Sequence, residues 1–280
     1  MYSCVELLRR VQAKGVKPKK RWGQNFLVDD NIRDFIVDAA DVDGKNAIEV
    51  GPGHGALTVR LAERAESLVA VEVDKILCSH IRELLGEKSN FRLVCADVLK
   101  TPFAELGPYP SVLVSNLPYS ISSPFFFKLW DEEPDIPYFV VMLQAEVAGR
   151  LTASPGSKDY GVLSVLYSLT HEIRHLKKVP RKCFWPQPEV DSVIVKGVKS
   201  RSIEKGLKKM LKVLVNAAFK YRRKKLYKAL SVELPDIDWR QIILNAGLDA
   251  EKRPDAFAPG EWLELAKRCA FLDKSINSGG

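Results

Sequence analysis

The sequence predicts an α/β protein: a buried, largely parallel sheet with crossover helices, followed by a small all-helical domain. Three observations carry this. Short β-branched runs recur that are apolar throughout rather than alternating, the pattern of strands covered on both faces. Helical periodicity fills the gaps between the early runs, as in βαβ units. Beyond residue 200 the strand signals stop.

Taken in order, "NAIEV" (46–50), "LVAVEV" (68–73), "FRLVC" (91–95), "SVLVS" (111–115) and "YFVVML" (138–143) read as buried strands. Residues 55–65 and 75–85 read as helices, a spacing suited to right-handed crossovers. "DSVIVKGV" (191–198) is a further strand. Residues 203–230 and 237–270 then read as helices, broken near Pro235, Gly247 and Pro254. The domain boundary is placed near 200, giving domains of 1–200 and 201–280, and the terminal "SINSGG" is expected to be loose.

Composition narrows the function classes. With 46% hydrophobic and 28% charged residues, the chain has the balance of an ordinary globular protein. No apolar run reaches the roughly 18–20 residues of a membrane span, and the N-terminus lacks the apolar core of a signal peptide. Cys4, Cys78, Cys95, Cys183 and Cys269 are odd in number and lack metal spacing. Reduced thiols in a cytoplasmic protein, with no disulfide and no metal, are therefore expected. Charge is unevenly spread. Residues 1–27 carry seven Lys/Arg against one acid, and residues 201–231 carry eleven against one. The whole chain is only +8, so the remainder is acidic. Two basic segments on a protein of pI about 9.1 point to a polyanion partner.

The first chemical motif is "IEVGPGHGALT" (48–58), which follows a strand and opens a helix. Gly51, Gly53 and Gly55 permit tight turning and close approach of a ligand to the backbone. The helix N-terminus adds unpaired N–H donors. Glu72 closes the second strand 21 residues after Gly51, placed to accept hydrogen bonds from a ribose diol. A glycine turn without a ligand would account for the loop alone, but not for strand, glycines, helix and acid together. Gly51-x-Gly53-x-x-Ala56 also satisfies the dinucleotide fingerprint, so the segment specifies an adenosine-containing cofactor and not which one. Asp97, at the end of the third strand, could accept from the amino group of that adenine.

"VLVSNLPYSISSPFF" (112–126) separates the alternatives. A buried strand runs into Asn116-Leu117-Pro118-Tyr119, an amide, a proline and an aromatic ring at the mouth of the sheet. The amino nitrogen of adenine is a poor nucleophile because its lone pair is delocalised into the ring. If the side-chain oxygen of Asn116 and a nearby backbone carbonyl accept its two N–H bonds, that nitrogen is drawn toward tetrahedral geometry. Its lone pair then faces a methyl donor. Pro118 stiffens the loop, and Tyr119 offers a ring for the base to stack on.

In these ordered motifs the chain resembles the small-subunit rRNA adenine N6,N6-dimethyltransferases, the KsgA family, over nearly its full length. The resemblance rests on "GQNFLVD" (23–29), "EVGPGHGALT" (49–58), "VEVD" (71–74), "ADV" (96–98) and "NLPY" (116–119). It extends through "MLQAEVAGRLTASPGSKDYGVLSVL" (142–166), "FWPQPEVDS" (184–192) and "AFKYRRKKLYKAL" (218–230). It implies a Rossmann-like S-adenosylmethionine-dependent methyltransferase sheet and a helical, basic rRNA-docking domain. By the same resemblance Asn25 and Leu27 contact the methionine end of the donor, and Gly51 approaches it with its backbone. Glu72 holds the ribose, Asp97 the adenine, and Asn116 touches both donor and target. Tyr119 and Phe184 sandwich the target adenine. Arg222, Arg223, Lys224 and Lys225 belong to the basic helix that docks RNA.

The implied substrate is two adjacent adenines near the 3′ end of small-subunit rRNA, within an immature small ribosomal subunit, and the implied enzyme is a monomer. Some positions depart from the pattern. Tyr227 and Lys228 stand where Arg-Asn is commoner, Glu189 where Lys is, and "PDAFAPGEWLELA" (254–266) fits loosely. A large-subunit rRNA methyltransferase and a non-catalytic nucleic-acid-binding protein share the scaffold. The "KDYGVLSV" stretch and the basic C-terminal helices favour the small subunit over the large, and intact Asn116, Pro118, Tyr119 and Glu72 argue against a non-catalytic protein. An NAD-dependent oxidoreductase lacks a His or Lys placed for hydride transfer.

Overall fold

The computed structural model describes residues 2–19 and 22–269. "SINSGG" and two cations of the N-terminal basic run, Lys20 and Arg21, lie outside the described residues. The chain opens with α1 (Cys4–Ala13), β1 (Phe26–Leu27), α2 (Asp30–Ala40), β2 (Asn46–Val50), α3 (Ala56–Arg64) and β3 (Ser67–Glu72). There follow α4 (Lys75–Leu85), β4 (Phe91–Cys95), β5 (Ser111–Asn116), α5 (Ser122–Glu132), β6 (Tyr138–Gln144), α6 (Ala145–Thr152) and α7 (Val162–Ser168). The remainder is β7 (His171–Val179), β8 (Phe184–Trp185), β9 (Ser192–Lys199), α8 (Lys205–Lys220), α9 (Leu226–Glu233), α10 (Trp239–Asn245) and α11 (Pro259–Arg268).

Seven strands form one sheet in the order β4-β3-β2-β5-β6-β9-β7. β2 pairs in parallel with β3 and β5, β3 with β4, and β5 with β6, while β9 lies antiparallel to β6. Strand order therefore reverses at β2, which opens a crevice at the carboxyl ends of β2 and β5. Ala47, Ile48, Leu68, Ala70, Leu113, Val114, Val140 and Val141 are fully buried. Helices cover both faces, which is why these strands read as continuous apolar runs. The six expected strands appear within one residue of their sequence bounds. β7, "HEIRHLKKV", was not foreseen, because it is a sheet edge with most side chains exposed and no apolar face to signal it.

The chain divides into two compact units. One holds the chain up to Ala148 with Ile173–Val198; the other holds Gly149–Glu172 with the chain from Lys199 onward. A cut near 200 describes this only in part. Gly149–Glu172 joins the helical unit because α7 packs on α8 and the buried Tyr160 donates its hydroxyl to the Phe257 carbonyl at 2.7 Å. The Gly156 N–H likewise donates to the Asp255 carbonyl at 2.7 Å.

Two expectations are corrected. Residues 203–230 are not one helix: α8 ends at Lys220, and Tyr221–Lys225 form a turn before α9. A continuous helix would set Arg222 and Lys225 three apart on one face, a repulsive pair. The turn gives each its own carboxylate instead, Asp255 for Arg222 at 3.1 Å and Glu251 for Lys225. Nor are all five thiols free. α4 packs on β4 and brings Cys78 and Cys95 to a Cα separation of 6.1 Å, where they form a disulfide. A sequence separation of 17 with no spacing motif left this pairing invisible in the sequence.

Candidate active site

Four predicted residues converge because each closes a parallel strand. Gly51 follows β2, Glu72 ends β3, Asp97 lies two residues past β4, and Asn116 ends β5. Asn25, Leu27 and the Asn116–Tyr119 run line the same cavity, whose volume of about 250 Å³ suits a nucleoside-sized ligand rather than an ion.

Two glycines hold the Asn116–Tyr119 loop by lacking a side chain. Gly51 has φ +68°, and a Cβ there would lie 2.8 Å from the Pro118 ring. Gly23 has φ +60°, and its Cβ would meet the Ser120 nitrogen at 2.7 Å and the Tyr119 nitrogen at 3.0 Å. The glycine loop and the "GQNFL" segment thus clasp NLPY from two sides.

The acids differ in how they are held. Glu72 is 5% exposed and accepts three backbone N–H bonds, from Gly53 at 3.2 Å and from Val73 and Asp74 at 2.9 Å. Those bonds lower its pKa, but burial outweighs them and leaves it above the ordinary carboxylate value. A carboxylate has about four acceptor positions, so one remains for a ligand hydroxyl. Asp97 accepts the Leu99 N–H through Oδ1 at 2.9 Å, leaving Oδ2 available. Glu49, in the middle of β2, lines the cavity and is 1% exposed. Burial holds its carboxyl up at about 8, and its Oε2 has no hydrogen-bond partner among the described residues. Its place in the cavity wall was not foreseen in the sequence; the signal was an acid inside an otherwise apolar strand. His54, also buried, is pushed down to about 4 by burial, and its Nε2 bonds the Leu27 carbonyl at 3.0 Å. A neutral imidazole thus props the Asn25–Leu27 segment.

Asn116 donates its Nδ2–H to the Asn25 carbonyl at 3.2 Å. A carbonyl can only accept, so this bond fixes the amide orientation and leaves the Asn116 Oδ1 as an acceptor. The Leu117 side chain is fully buried, and its N–H bonds the Met142 carbonyl at 3.1 Å. The Pro118 carbonyl closes the next turn by accepting from the Ile121 N–H at 3.1 Å and the Ser122 hydroxyl at 3.2 Å. The Leu117 carbonyl accepts no such bond among the described residues.

Tyr119 and Phe184 do meet, but not as a parallel slot. Their ring centroids are 6.5 Å apart at 65°, an edge contact. The Tyr119 hydroxyl is 2.5 Å from that of the fully buried Ser192, which fixes its ring. Phe184 sits on β8, paired antiparallel with β1 so that Leu27 faces Phe184 and Phe26 faces Trp185. Arg222, Arg223, Lys224 and Lys225 are not part of this assembly; they lie in the second unit. Among the described residues no three His, Cys, Asp or Glu side chains group as a metal site, and no helix is long and apolar enough to cross a membrane.

Comparison with known proteins gives three findings. A family model for ribosomal RNA adenine dimethylase matches residues 15–270. A ribosomal RNA small subunit methyltransferase A of Pelotomaculum thermopropionicum is 37% identical, covering 98% of this chain and 96% of its own. One from Bacillus cytotoxicus is 38% identical, with 91% and 92% covered. Among solved structures, a dimethyladenosine transferase from Plasmodium falciparum superposes with a TM-score of 0.72 at 27% identity, covering 85% of this chain and 95% of its own. A 23S rRNA methyltransferase, ErmE, gives 0.64 at 26% identity, with 87% and 99% covered.

Proposed function

The chain belongs to the ribosomal RNA adenine dimethylase family, and from that premise we propose that it dimethylates two adjacent adenines near the 3′ end of small-subunit (16S) rRNA at N6. The methyl donor is S-adenosylmethionine, whose sulfonium supplies an electrophilic methyl group when bound. The substrate is an immature small ribosomal subunit in the cytoplasm, and the enzyme works as a monomer. Residues 1–200 form the catalytic domain in this reading, and residues 201–280 dock the rRNA.

The residues present suit that donor. Glu72 keeps one acceptor position for a ribose hydroxyl, and Asp97 Oδ2 suits an adenine amino group. The unpartnered Glu49 oxygen suits a cationic ligand, since a charge there gives a buried carboxylate its missing partner. Asn25 and Leu27 close the methionine end.

The observation that carries the reading is the orientation of Asn116. With Nδ2 tied to Asn25, the Oδ1 atom and the Leu117 carbonyl are the acceptors that remain for the two N6 hydrogens. Accepting both draws N6 toward tetrahedral geometry and frees its lone pair for the methyl. Once the nitrogen is cationic its proton leaves easily, so a neutral amide suffices. Tyr119 holds the base by stacking, and because its ring is fixed by Ser192, entry of a base displaces the edge of Phe184. The target must leave its own stack to reach this depth. Incubating the protein with labelled donor and immature small subunits, followed by nucleoside analysis, tests the proposal. Dimethyladenosine in small-subunit rRNA is the expected product; label in large-subunit rRNA alone, or none, overturns it.

A further inference from the structure

The two basic runs at the N-terminus and near residue 220 do not exhaust the cations of the chain. Arg174–Lys182 carries five Lys/Arg and no acid. It begins on β7, the sheet edge, and continues past the strand to Arg181 and Lys182, two residues from Phe184. Lys178, though 72% exposed, pairs with Asp191 at 3.0 Å, whereas Arg181 and Lys182 are exposed with no ion pair among the described residues. Lysines on an edge strand also guard it against pairing with other sheets. That explains cations on β7 itself, but not those beyond its end.

The residue after Phe184 adds an independent observation. Successive side chains of a strand point to opposite faces. Phe184 is 4% exposed and turns in toward Tyr119, whereas Trp185 is 37% exposed. Trp185 is braced from behind by Phe26, whose ring lies within 15° of parallel at 6.4 Å. A supported, half-open indole close in sequence to two exposed cations with no ion pair among the described residues, Arg181 and Lys182, is what binds single-stranded nucleic acid: aromatic faces take bases, cations take phosphates.

We propose that Arg181, Lys182 and Trp185 form a track for the RNA strand that flanks the target adenine, with Trp185 stacking a neighbouring base. This rests on the reading that the cavity beside Phe184 methylates an RNA adenine, and adds the path by which the strand reaches it. The track is local to the Tyr119–Phe184 pair, so it acts on a short unstructured strand as well as on a whole subunit.

The test is binding of a ten-nucleotide single-stranded oligoadenylate to the full-length protein saturated with S-adenosylhomocysteine, across a range of salt. Each lost single-strand phosphate contact flattens the plot of log K against log salt by about 0.7, so Arg181→Gln/Lys182→Gln is expected to flatten it by about 1.4. Trp185→Ala is expected to weaken binding by about 5- to 100-fold with the slope unchanged, the range of one lost base stack. Trp185→Phe, which keeps a stacking face and the support on Phe26, is expected to stay within about threefold of the parent on the same stacking argument. Affinity for S-adenosylhomocysteine is expected to be unaltered throughout. Wild-type slope and affinity in the Arg181/Lys182 double variant, or equal oligoadenylate binding by Trp185→Ala, overturns the track. If Trp185→Ala also loses the cofactor product, Trp185→Phe decides: retained RNA binding supports the track and its loss overturns it. A parent enzyme that methylates subunits while these variants bind normally sinks only this inference; one that methylates no RNA sinks the functional reading beneath it.

Discussion

The sheet end and the helical unit both carry ionisable side chains, and they hold them in opposite ways. Glu72 and Glu49 are nearly sealed from solvent, each defined by a few fixed atoms around it. Lys220 and Lys225, by contrast, are 61% and 48% exposed, each with a single surface carboxylate partner. In the first setting a single atom decides, because a buried polar group left unpaired costs roughly 1–3 kcal/mol. In the second, cations count by number, since phosphate attraction is long-ranged and tolerant of geometry. Mutations should therefore act sharply and specifically in one region, and gradually in the other.

The largest effect is expected at Asn116. In the proposed mechanism its Oδ1 matters most as N6 becomes tetrahedral, so Asn116→Ala should slow single-turnover methyl transfer by at least about 100-fold, the usual loss when one preorganised polar group goes. RNA affinity should move by less than about 1 kcal/mol in a filter-binding assay, because the contact is made chiefly in the transition state. Normal dimethyladenosine yield at normal rate would remove the contrast at its root. Next comes Glu72→Ala, which should weaken donor binding by about 1–3 kcal/mol in calorimetry, through the loss of a buried acceptor.

A smaller effect should follow pH. Burial lifts the Glu49 carboxyl from about 4.5 to about 8, so between those values the folded chain keeps a proton that the unfolded chain releases. The stability that this adds at low pH is lost as pH rises through 8. His54 works the other way, being held at about 4 rather than 6.5, so it adds stability as pH climbs between those values. The two oppose each other below pH 6.5, and above it Glu49 acts without that opposition. The ligand-free protein should lose up to about 1.4 kcal/mol per pH unit from pH 6.5 to 8, less so in Glu49→Gln. Urea melts at both pH values measure this, and an identical slope in the variant would show that Glu49 is ionised in the fold.

The smallest single-residue effects belong to the helical unit, where the four cations of the 222–225 run are not equivalent. Arg223→Gln should reduce the salt slope of subunit binding by about 0.7–0.9 and leave the melting temperature alone. Arg222 also donates to the carbonyls of Lys158 and Ser157 at 2.8 and 3.3 Å, besides its pairing with Asp255. Arg222→Gln should lower the melting temperature instead. Equal behaviour of the two variants would make the run a uniform solvated face.

Much of the sheet was legible in the sequence because burial on both faces leaves few polar positions in the central strands, and the convergence of Gly51, Glu72, Asp97 and Asn116 was foreseeable because parallel strands end on one side. Features that depend on a second segment were not legible. β7 has no buried face of its own, and β1 and β8 are two residues each, defined only by pairing with one another. The Cys78–Cys95 bond and the attachment of Gly149–Glu172 to the helical unit likewise arise from packing between distant stretches. The run at 221–225 misled because helix propensity is local, whereas the carboxylates that reward a turn, Glu251 and Asp255, come from some thirty residues away.

The close fit of Gly51 and Gly23 against the loop at Pro118–Ser120 has a bearing on attempts to redirect the enzyme. A loop proposed to select the target invites treatment as an interchangeable cassette, to be swapped for one from an enzyme that modifies another base. Here its proline ring and backbone nitrogens fill the space that side chains at 51 and 23 would occupy. A transplanted loop of different shape would leave a void against those glycines or collide with them, and either change would be felt across the cavity that both line. Grafts that carry residues 23–27, 51–55 and 116–120 together would retain the fit, so retargeting is a problem of exchanging three segments at once.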